Sequence, residues 1–126
     1  MKKKLIICID FDGTITKHED YPNIGELHIN AKNIINSLYN EGHYIIIWTC
    51  RCLDKDIKQL KKYLLDSKIK YHKINENSDL ITIHPYPKVY ADIYIDDRSL
   101  FCDKIDWVYI YKLIKEKEKK LKRTIS

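Results

Sequence analysis

Asp10 and Asp12 stand one residue apart at the end of an apolar run, in Leu5-Ile6-Ile7-Cys8-Ile9-Asp10-Phe11-Asp12-Gly13-Thr14. A second acidic pair, Asp96-Asp97, ends the apolar stretch 89–95. Four carboxylates in one pocket repel each other. Mg²⁺ removes the conflict, because it prefers oxygen ligands in an octahedral shell that retains water. Asp10 and Asp96 are the candidate side-chain ligands and the backbone carbonyl of Asp12 is a third, while Asp97 binds through water or orients a partner. Four aspartates, one Mg²⁺ and Lys88 sum to a formal charge of minus one, and a proton on Asp12 brings the count to zero. A phosphate monoester dianion suits such a site. Asp10 attacks phosphorus and becomes an aspartyl phosphate. Asp12 protonates the departing oxygen, then deprotonates the hydrolytic water. The Thr49 hydroxyl and the Lys88 ammonium hold the phosphoryl oxygens as charge redistributes.

These residues need elements that bring them to one place. Residues 4 to 10 read as a β-strand. Residues 17 to 29 show little periodicity and read as a loop or flap. Asn30-Ala31 opens a helix carrying Ile34, Ile35, Leu38 and Tyr39, and Gly42 terminates it. Residues 43 to 48 form a second strand that releases Thr49-Cys50-Arg51. Asp54 caps a helix with Ile57, Leu60, Tyr63 and Leu64 on its inner stripe. A third strand is expected within 69 to 74, a loop over 75 to 88 with Pro85 and Pro87, and a fourth strand over 89 to 95. A weak fifth strand falls around 100 to 102, and Asp106 caps a final helix packed through Trp107, Ile110, Tyr111 and Ile114. The alternation indicates an α/β fold with a mostly parallel central sheet and helices on both sides, a three-layer sandwich. Such sheets bind ligands at the carboxyl ends of their strands. Asp10, Asp12, Thr49, Asp96 and Asp97 follow strands, and Lys88 precedes one.

Asp10-Phe11-Asp12-Gly13-Thr14-Ile15-Thr16 resembles the first motif of the haloacid dehalogenase (HAD) superfamily. Thr49 matches its second motif, Lys88 its third, and Asp96-Asp97 its acidic fourth. The resemblance runs from residue 4 to about 114. It implies a Rossmann-like fold, Mg²⁺ dependence and phosphatase activity. Asp12 argues against the metal-independent dehalogenase branch, which lacks a second acid. Many members carry a cap domain, but here the interval after the first motif holds only the flap near 17 to 29. A helix, a strand and a loop fill the stretch from Thr49 to Lys88, so the chain resembles a small capless hydrolase. An open site fits a macromolecular substrate, such as a phosphorylated protein or a nucleic-acid end, small phosphorylated metabolites, or a cap lent by a second copy in a homo-oligomer. Two alternatives stay open: a phosphotransferase using the same residues, and a non-catalytic HAD-fold binding or regulatory module.

The 126 residues read as one domain spanning 1–126. With no apolar run near the roughly 20 residues that span a bilayer, no membrane partner is expected. Cys50 and Cys52 make a C-x-C that no second pair completes, so it is no zinc signature. Cys8 reads as core, and reduced thiols fit a cytoplasmic protein. Gly13 comes too early for an EF-hand calcium loop, and no P-loop lysine follows it. The net charge of +5 gathers in the basic helix expected over about 106–123, a solvated face that can also attract anions; nucleic acid remains an open partner. Arg51 and Arg98 flank motif residues and read either as substrate contacts or as structural ion pairs. His18 and Tyr21 become candidates for specificity if the flap folds over the site.

Overall fold

The structure is a computed structural model that describes residues 4–81, 88–100, 102 and 104–120. His84, Pro85, Pro87, part of the strand expected around 100–102 and the tail beyond 120 lie outside these residues. Strand β1 (Ile6–Asp10) is buried up to Asp10, as a β-branched run on a pleated core should be. It is followed by α1 (Ala31–Asn40), β2 (Tyr44–Trp48), α2 (Asp54–Asp66), β3 (Lys73–Ile74), β4 (Ile93–Ile95) and α3 (Trp107–Lys120). The strands form one parallel sheet in the order β3-β2-β1-β4. Asp10 is in register with Trp48 and Ile9 with Ile95, so three strands end together. That shared edge receives Asp10, Thr49 and Asp96.

The period of two along each strand separates two cores. Ile7, Ile9, Ile45 and Ile47 pack with Ile35 and Leu38 of α1, Leu60 and Leu64 of α2, and Trp107 and Ile114 of α3. Ile6, Cys8 and Ile46 face the other way, against Val89, Tyr90 and Ile81. All three described helices therefore lie on one face. Handedness explains this. The chain steps from β1 to β2 to β3 in one direction, and right-handed crossovers put α1 and α2 on the same side. The step from β3 back to β4 reverses direction, and the described residues Ile81, Val89 and Tyr90 of that crossover lie on the opposite face. Helices were expected on both sides; among the described residues this crossover has none. On that face the described residues 75–81 and 88–92 are irregular.

Three local boundaries differ from those expected. α2 starts from Leu53 in extended conformation, and no side chain caps it. Asp54 lies inside the first turn, where a negative charge still favours the helix dipole. β4 is shorter than 89–95. The Tyr94 hydroxyl donates to Val89 O at 2.6 Å and accepts the Ala91 N–H at 3.1 Å, folding 89–91 back on the strand. β3 is only Lys73–Ile74, paired with Ile46 and Ile47.

α3 is fastened near both ends. At its start, Trp107 Nε1 donates to Thr14 O at 2.9 Å in a buried bond, and Asp106 Oδ1 accepts the Tyr109 N–H at 3.2 Å as the expected cap. Near its other end, Glu118 Oε1 lies 2.7 Å from His43 Nε2, while His43 Nδ1 accepts the Leu5 N–H at 3.0 Å. Accepting through Nδ1 places the ring proton on Nε2, so His43 donates to Glu118. Lys115 bonds both Glu41 and Glu118 and completes the network. No described helix is long and apolar enough to cross a membrane.

Candidate active site

The loop after β1 is built around one carbonyl. Phe11 O accepts the N–H groups of Thr14, Ile15 and Thr16, at 3.2, 2.9 and 3.2 Å. This coil puts Asp10, Asp12 and Thr14 at the carboxyl edge of the sheet. Gly13 sits at φ +87°, and a Cβ there would come within 2.5 Å of the His18 ring and 2.6 Å of Asp97 Oδ2. Glycine therefore serves twice, in the left-handed turn and in the close approach of two other segments.

Asp10, Asp96 and Asp97 converge, with one carboxylate oxygen from each lying within 4.8 Å of the others. The Thr14 hydroxyl donates to Asp10 Oδ2 at 2.9 Å and accepts the Asp97 N–H at 2.9 Å. His18 Nε2 lies 2.8 Å from Asp97 Oδ2. Asp96 Oδ1 accepts the Arg98 N–H at 2.9 Å, so it is the backbone of Arg98 that joins the site. Burial and then the charge of Asp96, opposed by the Thr14 bond, push Asp10 up to about 7. Burial acts upward on Asp97 too, but bonds from His18, Asp10 and Thr14 outweigh it and hold that carboxyl below its ordinary range. An all-oxygen set of crowded carboxylates is the donor chemistry that a hard cation such as Mg²⁺ prefers. The residues fit the ion that the sequence implies.

Asp12 departs from expectation. Its carboxylate turns to Arg51, which donates from Nε to Oδ2 at 2.8 Å and from an Nη to Oδ1 at 2.9 Å. Arg51 is only 4% exposed. Two further guanidinium N–H groups donate to Pro22 O at 3.0 Å and Asn23 O at 2.8 Å. The Asp12 bond, against the opposing effect of burial, pushes Arg51 above its ordinary range. Arg51 thus adds a positive charge that the formal count left out. Both Asp12 oxygens are occupied, so proton transfer requires one of these bonds to open. The Asp12 side chain also stands outside the Asp10–Asp96–Asp97 group, leaving its backbone carbonyl as the expected ligand.

Thr49 and Lys88 reach the same edge by different routes. The Thr49 hydroxyl accepts the Arg51 N–H at 3.1 Å, and the Thr49 N–H donates to Asn75 Oδ1 at 2.8 Å. Lys88 lines a cleft of about 100 Å³ together with Asp10, Asp96, Cys8, Trp48 and Tyr94. Its ammonium rests 4.5 Å from the centre of the Tyr94 ring. Lys73, on β3, lies 3.7 Å from Asp79. The Cys8 thiol in this cleft is pushed up to about 12, chiefly by burial, and is no nucleophile.

The flap is a pinned rim. Its neck closes through Lys17 N–H to Glu26 O at 2.8 Å and His28 N–H to Ile15 O at 2.9 Å. Gly25 is needed there, because a Cβ would fall 2.1 Å from Lys17 O. The Tyr21 hydroxyl bonds both oxygens of buried Asp56, at 2.7 and 2.9 Å, and Tyr63 Oη donates to Gly25 O at 3.1 Å. Sequence reasoning missed three supporting residues: Thr14, Asp56 and Asn75. Thr14 had a signal, a hydroxyl inside the acidic turn. Asp56 and Asn75 had none, since their partners lie 35 and 26 residues away.

No family model matches the chain, and no curated protein matches it. A solved structure described as the conserved protein coded by a locus from Bacteroides thetaiotaomicron superposes with a TM-score of 0.80. The two are 31% identical over 91% of this chain and 93% of that one. With that identity across nearly the whole of both, the chain belongs to the same family as the conserved Bacteroides thetaiotaomicron protein.

Proposed function

We propose that the chain is a HAD-type, Mg²⁺-dependent phosphatase that hydrolyses phosphate monoesters through an aspartyl phosphate on Asp10. The observation that carries this reading is the meeting of Asp10, Asp96 and Asp97 within 4.8 Å at the edge where Asp12 is also held. When bound, Mg²⁺ would be held by Asp10, Asp96 and Asp97 and would supply positive charge to the carboxylates and the phosphoryl oxygens. Thr14 fixes one oxygen of Asp10, leaving the other to attack phosphorus. Once one of its bonds to Arg51 opens and it takes up a proton, Asp12 gives that proton to the departing oxygen and then takes one from the hydrolytic water. Lys88 leaves the Tyr94 face and, with Thr49, holds the phosphoryl oxygens.

The test is turnover of a generic aryl phosphate with Mg²⁺, with chelator, and in Asp10→Asn. The reading expects activity only in the first condition. Robust hydrolysis by the folded variant would contradict the role of Asp10.

A further inference from the structure

Cys50 and Cys52 flank Arg51 and take no part in the chemistry above. Both are free and exposed, whereas Arg51 between them is buried. Alternating exposure puts the two thiols on the outer side of the loop and the guanidinium on its inner side. Two residues of chain span at most about 7 Å. A disulfide needs Cα atoms roughly 4.4–6.8 Å apart. The pair is therefore within reach of a bridge, and closure contracts the backbone at Arg51.

Arg51 is poorly placed to tolerate that contraction. Its N–H donates to Thr49 Oγ1, its carbonyl accepts from Asn75 Nδ2 at 3.4 Å, and its side chain holds Asp12, Pro22 and Asn23. One residue thus links the loop after β2, the acidic turn and the flap. The Tyr21 phenol is held above its ordinary range by its Asp56 bond first, then by burial, with a smaller contribution from Cys52.

We propose that Cys50 and Cys52 form a vicinal dithiol that a peroxide-class oxidant closes to a disulfide, and that closure releases the Arg51 grip on Asp12 and the flap. One thiolate attacks a peroxide oxygen, breaking the O–O bond to give a sulfenic acid and water. The second thiolate attacks that sulfur and displaces the hydroxyl as water. Two thiols lose two electrons and two protons, and one hydrogen peroxide becomes two waters. The bridge and the flap release stand on geometry alone. Their effect on turnover rests on the phosphatase reading.

The experiment uses the full chain carrying Cys102→Ser, with Cys8 left buried, treated with hydrogen peroxide. Mass spectrometry should show loss of two hydrogen masses, restored by reductant. A protease cutting after arginine separates Cys50 from Cys52, so the two fragments should stay joined until reduction. Amide exchange across 17–25 should quicken about tenfold in the bridged form. Aryl phosphate turnover, where present, should fall by up to about 10²-fold. Cys50→Ser and Cys52→Ser should each abolish the bridge and the change in exchange. Sulfinic acid or intermolecular disulfides in place of the bridge would overturn the proposal, and so would a bridge that leaves flap exchange unchanged. Because mass and exchange do not depend on catalysis, an inactive protein would count against the phosphatase reading alone.

Discussion

Asp10 is where burial and charge meet most directly. Its carboxyl ordinarily titrates at 3.8 but is raised to about 7 in the fold. The folded state therefore binds this proton more tightly than the unfolded chain does. The associated stability is fully present below 3.8 and is lost as pH rises through 7. Asp97 has the opposite sign, but its lowered range puts that effect below this window. Metal-free Asp10→Asn should lose less stability than the parent between pH 4 and pH 8, by about 1–2 kcal/mol after allowance for solvent screening. Denaturant midpoints at the two pH values check this. Mg²⁺ must displace the same proton, so its affinity should fall as pH drops below about 7, which titration calorimetry reads. Arg51→Met removes both donors from Asp12 and those from Pro22 and Asn23. Urea unfolding should show a loss of about 3 kcal/mol, and turnover should fall by about 10²-fold or more.

At the scale of elements, the acidic turn depends on two neighbours, α3 and the flap. α3 holds it from below through the Trp107 bond to Thr14 O. Trp107→Phe keeps most of the apolar surface but leaves that buried carbonyl without its donor. It should cost about 1–3 kcal/mol by thermal or urea unfolding. The flap holds the turn from above, with His18 against Gly13 and Asp97. Gly13→Ala adds a methyl where no space exists, at a backbone angle that L-residues avoid. The variant should lose about 1–3 kcal/mol and bind Mg²⁺ more weakly, because the methyl pushes against Asp97. Calorimetry with the metal separates the two effects.

At the scale of the whole molecule, one parallel sheet joins a tight amino-terminal edge to an open carboxyl edge. At the tight edge, buried His43 and Glu118 tie α3 to the sheet, and Glu118→Ala should cost about 2–3 kcal/mol in unfolding experiments without touching the site. At the open edge lies the pinned flap; under the proposed phosphatase function, phosphopeptides and small aryl phosphates should differ in kcat/KM by less than about tenfold. Much of this plan was legible in the sequence. Apolar runs set the strands, helical spacing placed Ile35, Leu38, Leu60 and Leu64 inward, and chemistry-bearing residues clustered just after strands. Local patterning carries such information because side-chain period and burial are properties of neighbouring residues. The chain by itself thus determined the main elements, the parallel sense of the sheet and the placement of Asp10, Asp12, Thr49 and Asp96 at one sheet edge. Only the tertiary structure decided that all three described helices share one face, that Arg51 grips both oxygens of Asp12, and that the flap is fastened to α2. Those outcomes depend on the handedness of a long crossover and on bonds between residues 28 to 39 positions apart, distances over which no local pattern reports.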